Sequence, residues 1–450
     1  MAEIKKILIA NRGEIVQRAI RTIREMGKKS VAVYSAGDKN ASYLKHADEA
    51  VCIGGAKSSE SYLNIPAIIT AAEMTGCDAI FPGYGFLSEN QDFVEICRLH
   101  NIKFIGPSVE VMEKMADKSK AKEEMIRAGV PVVPGSKGAV HSVTEGKVVA
   151  AEIGYPIMAK AAAGGGGRGM RLIKEESEFD QLFMAASSEA LAAFGDGTMY
   201  LERFINNPRH IEVQVVGDSH GNAIHIGERD CSLQRRHQKV IEESPAILLN
   251  DETRAKLHEV AVKATKYLKY EGAGTFEFLA DDKQNIYFME MNTRLQVEHP
   301  VSEMVSGIDI VELMIKVAEG EKVPPQESIK FRGHAIECRI TAEDPNSFLP
   351  CPGKVTQWFV PGGRNVRVDS HVYANYVVPP YYDSMIGKLI VWGRDRNKAI
   401  NIMKRALAEF EVEGIKTTIP FHQKMMENDD FISNNYDTKY LENYKNLDEL

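Results

Sequence analysis

Polar and apolar positions alternate strictly along residues 290–298 of the chain. A two-residue period predicts a β-strand, because successive side chains of a strand point to opposite faces. A strand with one solvated face has the same period, but such a face is usually filled with repeated Lys, Glu and Thr. Single copies of different functional groups favour a binding or catalytic face, and the solvated strand stays open as the alternative. The polar positions are Glu290, Asn292, Arg294, Gln296 and Glu298.

The segments GTFEFLA and NIYFMEM flank the polar cluster DDKQN and predict a β-hairpin that leads into this run. A turn centred between Lys283 and Gln284 places Glu277 directly opposite Glu290, with Cβ atoms about 4.5–5.5 Å apart. Two carboxylates facing each other among phenylalanines call for a cation between them. All-oxygen ligands favour Mg²⁺ or Mn²⁺, and Asn292 adds a third oxygen on the same face. A register shifted by one residue is the alternative, and it leaves the acids exposed.

Short apolar segments alternate with helical patterns over the first part of the chain. KILIA, SVAVYS, CDAIF and KFIGP predict strands, and the segments between them, such as NRGEIVQRAIRTIREMG, predict helices. This order predicts a doubly wound α/β domain with a parallel sheet, which binds ligands beyond the carboxyl ends of its strands. NRGE and PGYGFLSEN fall at those ends. In the second segment, the residues alone favour a loop aromatic for Tyr84 and a helix-terminal acid for Glu89, with a functional role as the alternative.

The pattern changes after Gly129, and three units follow from it. We predict an N-terminal α/β domain over residues 1–130, a small lid domain over residues 131–203 and a C-terminal α+β domain over residues 204–450. The lid carries PIMAKA, then GGGGRGM, then MRLIK, which predicts two strands joined by a glycine loop. Such a loop can fold over phosphates and exclude water, although a plain connector is the alternative. Lys160 precedes the loop and can meet a nucleotide or simply face solvent.

A second alternation occupies ERDCSLQRRHQKV, where Arg235, His237 and Lys239 share one face. Cationic side chains beside an acidic, metal-binding face are typical of phosphoryl-transfer sites, because they neutralise charge on the transferred group. A charged, solvated strand is the alternative for this segment taken alone.

The composition excludes several other functions. The net charge is −8 with acids and bases interspersed, so nothing favours nucleic acid or an anionic membrane as partner. The six cysteines form no CxxC pair, which suits reduced thiols in the cytoplasm. The first residues have no signal-peptide pattern, and no apolar run approaches membrane-spanning length.

Seven motifs spread over essentially the whole chain resemble biotin carboxylase, a ligase of the ATP-grasp family. They are IANRGEIVQRAIR, FPGYGFLSEN, GGGGRGM, ERDCSLQRRHQKV, GAGTFEF, MEMNTRLQVEHPV and PYYDSMIGK. The resemblance implies ATP-dependent carboxylation of biotin with bicarbonate, as the first half-reaction of acetyl-CoA carboxylase in fatty acid synthesis. A pyruvate carboxylase or another acyl-CoA carboxylase is the alternative setting. It also implies an ATP-grasp region over about residues 122–318 and a C-terminal part over about residues 333–440.

The resemblance assigns an ATP site and a metal site. Glu277, Glu290 and Asn292 would hold two Mg²⁺ or Mn²⁺ ions. The residues implied in ATP binding are Lys118, Lys160, Gly166, Gly167, Glu202, Arg203, Phe204, Ile205, His210, Gln234, His237, Glu277 and Glu290.

The resemblance also assigns the catalytic residues, with Glu298 as the general base that deprotonates bicarbonate. Tyr84, Asp383 and Arg339 would line the biotin side, and Arg339 would stabilise the biotin enolate. The residues implied in bicarbonate binding are Lys239, Arg294, Gln296, Val297 and Arg339, and the catalytic set is Arg294, Glu298, Lys239 and Arg339.

Two positions depart from the family pattern: Ala163 replaces the first of five glycines, and Arg203 stands where lysine is common. No AMKM-type biotinyl-lysine motif is present, so we expect biotin to arrive on a separate carrier protein, with carboxyltransferase subunits as further partners. The resemblance implies a homodimer through the first domain, with Arg18 at the interface. Another ATP-grasp ligase would not need RLQVEHP together with Arg339. A non-catalytic nucleotide-binding subunit would lack one of the acids or Arg294.

The spacing along the opening strand predicts a change of direction. A straight strand would separate Glu290 from Glu298 by roughly 26 Å at about 3.3 Å per residue. That distance is too large for one site that holds phosphate, bicarbonate and base. We therefore expect the chain to bend soon after Asn292.

Overall fold

A parallel sheet opens the structure, a computed structural model that describes residues 3–161, 169–236 and 238–444 but not the side chains of residues 118, 119, 193 and 194. Its strand order is β3-β2-β1-β4-β5. Ile7 and Ile9 of β1 enter one hydrophobic core, and Leu8 enters a second core on the other face. Both faces of the sheet are therefore covered, as a doubly wound domain requires. The elements are β1 Lys6–Ile9, α1 Glu14–Glu25, β2 Lys29–Tyr34, β3 Glu49–Cys52, α2 Ile65–Thr75, β4 Ala79–Phe81, α3 Gln91–Leu99, β5 Lys103–Phe104, α4 Val109–Ala116 and α5 Lys118–Ala128.

Local sequence explains where these helices begin and end. Asn64 and Asn90 accept hydrogen bonds from the backbone N–H groups of Ala67 and Phe93, so each asparagine caps the N-terminus of its helix. Gly76 ends α2 in the left-handed conformation at φ 64°, which glycine adopts without the penalty of a Cβ atom.

A small unit follows, with a three-stranded antiparallel sheet in the order β7-β6-β8 among the described residues. Its own core packs the stacked rings of Phe179 and Phe183 against Ile157 and Leu201. The glycine loop between β6 and β7 lies in residues 162–168, outside the described part of the chain. The elements are α6 Val143–Ile153, β6 Ile157–Ala161, β7 Met170–Ile173, α7 Phe179–Phe194 and β8 Met199–Arg203.

The largest sheet among the described residues has eight antiparallel strands in the order β13-β12-β9-β10-β11-β14-β19-β17. It joins the central part of the chain to the C-terminal part, and the helices α8, α9 and α10 are inserted between its strands in sequence. The elements are β9 Arg209–Gly217, β10 Ala223–Arg235, β11 Gln238–Ser244, α8 Asp251–Tyr267, β12 Gly272–Ala280, β13 Ile286–Asn292, α9 His299–Ser306, α10 Ile310–Ala318, β14 His334–Thr341, β17 Val366–Ser370 and β19 Met385–Gly393.

Short strands and three helices complete the described C-terminal part. None of the helices within the described ranges is long and apolar enough to cross a membrane. The elements are β15 Gly353–Lys354, β16 Gln357–Phe359, β18 Val377–Val378, α11 Arg396–Glu409, β20 Glu411–Glu413, α12 Ile419–Glu427 and α13 Asp429–Ser433. The fold is thus an N-terminal doubly wound domain, a small lid and a C-terminal α+β part, as the sequence predicts.

The hairpin β12–β13 has the predicted pairing for a different reason. Ala280 pairs with Ile286, which centres the turn on Lys283 rather than beyond it. A register shift between Glu277 and Phe278 then adds one residue to β13, and Glu277 faces Glu290. The bulge restores the pairing that the turn alone would have displaced.

Two strand predictions are wrong. The alternating run does not continue as a strand to Glu298, because β13 ends at Asn292 and the chain bends at residues 293–294. The second alternation is also interrupted: β10 ends at Arg235, Arg236 has a φ of 51°, and β11 begins at Gln238. Lys239 therefore pairs across the hairpin with Gln234, and the two side chains share one face.

Candidate active site

An acidic cluster lies where β9, β12 and β13 run side by side. Glu212 and Glu277 are cross-strand neighbours, and Glu290 is the neighbour of Glu277 on its other side. The imidazole of His210 bridges the first two acids, with Nε2 at 3.1 Å from Glu212 and 3.0 Å from Glu277. Burial lowers the pKa of His210, but the hydrogen bonds to both carboxylates outweigh it and raise the pKa to about 9. Its other ring nitrogen lies 3.0 Å from the amide nitrogen of Gln234.

Lys239 lies between this cluster and the general-base candidate. Its ammonium contacts Glu212, lies 3.1 Å from Glu277 and lies 2.7 Å from Glu298. Burial would lower the pKa of Lys239, but the three carboxylates raise it well above its ordinary value. Lys239 is therefore a fixed positive charge that links the acidic cluster to Glu298.

The bend after Asn292 is held by Glu89. One carboxylate oxygen of Glu89 accepts hydrogen bonds from the backbone N–H and the hydroxyl of Thr293, at 2.9 and 3.1 Å. The other oxygen accepts from Nε of Arg294 at 2.8 Å, and a terminal nitrogen of Arg294 donates to Asn292 at 2.8 Å. Leu295 is buried in the main core beyond the bend. The predicted change of direction is confirmed, and Glu89 is more than a helix-terminal acid.

The bend brings Gln296 and Glu298 back onto the same cluster. The amide nitrogen of Gln296 donates to Glu277 at 3.0 Å. Glu298 is fully buried and lies between two cations, with one oxygen 2.7 Å from Lys239 and the other 2.9 Å from Arg339. Burial would raise the pKa of Glu298, but the charges of Lys239 and Arg339 hold it below its ordinary value. Glu298 is therefore ionised at neutral pH and able to accept a proton.

A cavity of about 600 Å³ opens beside Arg339. The cavity is bounded by the carboxyl ends of the N-terminal sheet, the β10–β11 hairpin and the loop that precedes β19. Inside it, the phenolic hydroxyl of Tyr84 donates to Glu14, and burial raises the pKa of Tyr84 well above its ordinary value. The predicted site residues that line this cavity are Tyr84, Lys239, Val297, Arg339 and Asp383.

The nucleotide candidates of the lid meet at Glu202. Its carboxylate accepts hydrogen bonds from Lys160 at 2.6 Å and from Lys122 at 3.2 Å. Burial would raise the pKa of Glu202, but the two ammonium groups lower it. Two cations about one half-buried acid leave a net positive charge, which suits phosphate.

The hinge between the lid and the large sheet begins with Arg203, Phe204 and Ile205. The side chain of Arg203 donates to the carbonyl of Ile153 at 2.6 and 3.1 Å. The backbone N–H of Phe204 donates to Pro156 at 2.9 Å, and Ile205 follows, half-buried. The predictions for Gly166, Gly167 and His237, and that for the side chain of Lys118, lie outside the described residues, and so does the departure at Ala163.

The oxygen-rich cluster fits a hard divalent cation. Glu277 and Glu290 face each other across paired strands, and Asn292 donates to Glu277 at 2.7 Å. Oxygen ligands at such a place match the preference of Mg²⁺. The atoms of His210, Glu212 and Glu277 also lie close enough together to share one ion. Glu290 and Asn292 are half-buried, whereas Glu277 is buried.

Several central residues were missed by the sequence reasoning. Glu212 is the one acid in RHIEVQVVG, and Glu242 is one of two adjacent acids in KVIEESPA. Neither segment has a polar period that singles out its acid. Lys122 sits on a helix with a regular charged face. Only the tertiary fold brings these residues to the site, through strand pairing for the two acids and through the packing of α5 for Lys122.

Three family models match in chain order. The biotin carboxylase N-terminal domain matches residues 3–112, the carbamoyl-phosphate synthase L chain ATP-binding domain matches residues 117–326, and the biotin carboxylase C-terminal domain matches residues 337–443. The middle match is an ATP-binding domain, and it covers the lid, the acidic cluster and the bend.

Similar proteins agree over the full length. Biotin carboxylase of Nostoc sp. is 56% identical over 97% of this chain and 98% of its own. The crystal structure of a biotin carboxylase complex with βγ-ATP from Campylobacter jejuni is 68% identical, with a TM-score of 0.89 over 98% of this chain and 99% of its own. The biotin carboxylase domain of a thermophilic 2-oxoglutarate carboxylase bound to bicarbonate is 48% identical, with a TM-score of 0.93 over 98% of each chain.

The fold and the ATP-binding match define the class of protein, an ATP-grasp ligase. At this level of identity over nearly the whole length, the chain belongs to the biotin carboxylase family.

Proposed function

We propose that this protein uses ATP and bicarbonate to carboxylate biotin on a carrier protein, and releases ADP and phosphate. The observation that carries the proposal is Glu298, a buried carboxylate between Lys239 and Arg339, where the acidic cluster meets the 600 Å³ cavity. A nucleotide at the cluster and biotin in the cavity would meet at this one group. The carbamoyl-phosphate synthase match and the bicarbonate-bound relative support the same reaction class.

The first step is phosphoryl transfer to bicarbonate. Lys160 and Lys122 supply positive charge for the nucleotide phosphates. His210, held by Glu212 and Glu277, supplies a further positive charge. Two Mg²⁺ ions, held by Glu277, Glu290 and Asn292, would neutralise phosphate charge when bound; Mn²⁺ would fit the same oxygens.

Bicarbonate is deprotonated and held by the groups beyond the bend. Glu298 takes the proton, because its carboxylate is ionised and already accepts hydrogen bonds from two cations. Lys239 and Arg294, with Gln296 and Val297, would hold the anion for attack on the γ-phosphorus. The new P–O bond displaces ADP and forms carboxyphosphate.

Carboxyphosphate then breaks at its C–O bond to give CO₂ and phosphate. The phosphate takes the N1 proton of biotin, and the nitrogen forms a C–N bond with CO₂. Arg339 lines the cavity, where its guanidinium can balance the negative charge that develops on the ureido oxygen. Closure of the lid would exclude water, which otherwise hydrolyses carboxyphosphate.

The setting of the reaction is part of the proposal. We favour the biotin carboxylase subunit of acetyl-CoA carboxylase, with a carrier protein and carboxyltransferase subunits as partners in the cytoplasm. The free state of all six cysteines is consistent with a reducing compartment. The similarity to a domain of 2-oxoglutarate carboxylase keeps a pyruvate or other carboxylase as the alternative.

We also propose a homodimer built through the N-terminal domain. Arg18 of α1 pairs within the chain with Glu303 at 2.7 Å and Asp309 at 2.9 Å. These ion pairs hold α1 against the segment from α9 to α10, so Arg18 would shape the interface rather than supply a free charge to it.

An omission assay tests the reaction. ADP release is followed with ATP, Mg²⁺, bicarbonate and free biotin, and each substrate is left out in turn. We expect full turnover only with all four present. Equal ADP release without bicarbonate, or no increase with biotin, would contradict the proposed function.

A further inference from the structure

Two acids that the proposed reaction does not use face each other beneath Arg339. Glu242 of β11 pairs directly with Glu337 of β14, and both are fully buried. One oxygen of Glu242 accepts a hydrogen bond from Nε of Arg339 at 2.6 Å, while a terminal nitrogen of Arg339 reaches Glu298 at 2.9 Å. Glu242 and Glu298 therefore accept hydrogen bonds from different edges of the Arg339 guanidinium.

The remaining oxygens of this pair lack hydrogen-bond donors within the described part of the chain. They are the second oxygen of Glu242 and both oxygens of Glu337. Directly opposite residues in antiparallel strands have Cβ atoms about 4.5–5.5 Å apart. Two carboxylates at that spacing in a buried site cannot both stay ionised without strong compensation, so one of them retains a proton.

The surrounding charges decide which acid is neutral. Glu242 touches the guanidinium of Arg339, whereas Glu337 has no ion pair within 4 Å among the described residues. The nearest ammonium on β19, that of Lys388, is already engaged by Glu14 at 3.0 Å and by the carbonyl of Val297 at 2.7 Å. The other ionisable groups that face the pair are Glu298, Lys239 and Tyr84.

We infer that the two facing acids carry different charges: Glu242 is a carboxylate that positions Arg339, and Glu337 is a neutral carboxylic acid. The inference rests on the proposed role of Arg339 toward biotin. Burial raises the pKa of both acids, but the hydrogen-bonded guanidinium of Arg339 opposes this rise at Glu242, so Glu337 is the acid that retains the proton.

The difference matters for the charge at Arg339. With Glu298 and Glu242 ionised, Arg339 has two counter-charges and no capacity for a third anion. When Glu298 takes the proton of bicarbonate, one counter-charge disappears and the guanidinium can meet the developing oxyanion of biotin. An ionised Glu337 would restore the excess negative charge near Arg339. The neutral state of Glu337 therefore leaves the guanidinium able to bind the developing oxyanion of biotin. Glu242 holds the guanidinium in place while its contact with Glu298 weakens.

The positioning role of Glu242 is tested with E242Q, which keeps a hydrogen-bond acceptor but removes the charge. We expect kcat for biotin carboxylation to fall at least about tenfold, with KM for ATP unchanged within about twofold. E242D restores the charge, so its kcat should be at least about threefold higher than that of E242Q. A purely structural role of Glu242 would not give this increase. Unchanged kcat in E242Q, or E242D no better than E242Q, would overturn the role.

The charge of Glu337 is tested by stability, without activity. In the pH range between its ordinary pKa and its raised pKa, the folded state binds a proton that the unfolded state lacks, so wild-type stability falls as pH rises. Each pH unit changes the unfolding equilibrium by about tenfold. E337Q mimics the neutral acid and removes this slope. The difference in Tm between E337Q and wild type should therefore grow in favour of E337Q from pH 5.5 to 7.5.

Glu243 provides the matched control on the same strand. It points to the other face, where Arg396 and His334 donate to it at 2.6 and 2.7 Å. Burial would raise the pKa of Glu243, but these partners lower it strongly. E243Q should lower Tm by a similar amount throughout the same pH range. A Tm difference for E337Q that is flat or shrinks with pH, or E337Q that fails to fold while E242Q folds, would overturn the neutral assignment. Absence of biotin-dependent turnover in the wild type would instead overturn the proposed function.

Discussion

Replacing Glu298 by Gln distinguishes a role of this residue as general base from a role in ATP binding. The substitution keeps the size of the side chain but removes the carboxylate that we propose accepts the bicarbonate proton. Loss of a positioned general base costs about 10²–10⁴-fold in rate, which is about 3–5 kcal/mol of activation free energy at about 1.36 kcal/mol per decade. Lys160 and His210, the proposed nucleotide-binding groups, pair with Glu202, Glu212 and Glu277 and not with Glu298. KM for ATP should therefore change by no more than about twofold.

The structure also limits the cost of E298Q to folding. Lys239 retains Glu212 and Glu277, and Arg339 retains Glu242, so neither buried cation is left without a counter-charge. We expect a loss of about 1–3 kcal/mol in the free energy of unfolding, the cost of an imperfectly satisfied buried polar group. The protein should therefore purify as a folded enzyme.

The assay is steady-state ADP release with ATP and bicarbonate varied in turn. Glu228 offers a matched control, because it is also a buried carboxylate between two basic partners, Arg254 at 2.8 Å and His258 at 2.7 Å. E228Q should lower Tm and leave kcat unchanged. If E298Q retains turnover and mainly raises KM for ATP, Glu298 contributes to ATP binding, and its assignment as the general base is wrong.

Further predictions concern the metal side, the acid stability and the assembly. E290Q should abolish ATP turnover, and its Tm without Mg²⁺ should equal or exceed that of the wild type because one of two facing charges is removed; near-normal Mg²⁺-dependent ADP release would refute the metal role. Burial raises the pKa of Glu228, but His258 and Arg254 together lower it to about 2. Its contribution of about 3 kcal/mol is present above the ordinary pKa and is lost as pH falls toward 2. The Tm values of wild type and E228Q should therefore converge between pH 4.5 and 2, and a constant difference would count against this account. Sedimentation at micromolar concentration should show a dimer, and a monomer would contradict the assembly that we propose.

The local pattern predicts elements better than contacts. The alternation of strands and helices in the first domain follows from short apolar segments separated by helical periods, and the structure confirms it. The pairing of Glu277 with Glu290 is correct, although the turn lies at a different position and a bulge compensates. The two-residue period of polar and apolar positions could not locate the end of β13, because the residues of the bend keep the same alternation. Distance along the chain did predict the bend, since one site had to hold both ends of the run.

The residues that the sequence could not reveal are held by tertiary pairing. Glu89 stabilises the bend from a position more than 200 residues earlier in the chain, since its contact with Arg294 spans 205 positions. No pattern in their strands marks Glu212 or Glu242, and their roles appear only when the fold places Lys239 and Arg339 beside them. A pattern along one strand carries no information about which strand lies next to it.

The central claim, that bicarbonate is activated by phosphorylation before biotin is carboxylated, is tested most directly with bicarbonate labelled with ¹⁸O. The attacking bicarbonate oxygen stays on phosphorus when carboxyphosphate loses CO₂. The account therefore predicts one ¹⁸O atom in the phosphate released for each carboxybiotin formed, measured by mass spectrometry of the phosphate. Phosphate without ¹⁸O, formed together with carboxybiotin, would contradict it, because the phosphoryl group would then have been transferred to an acceptor other than bicarbonate.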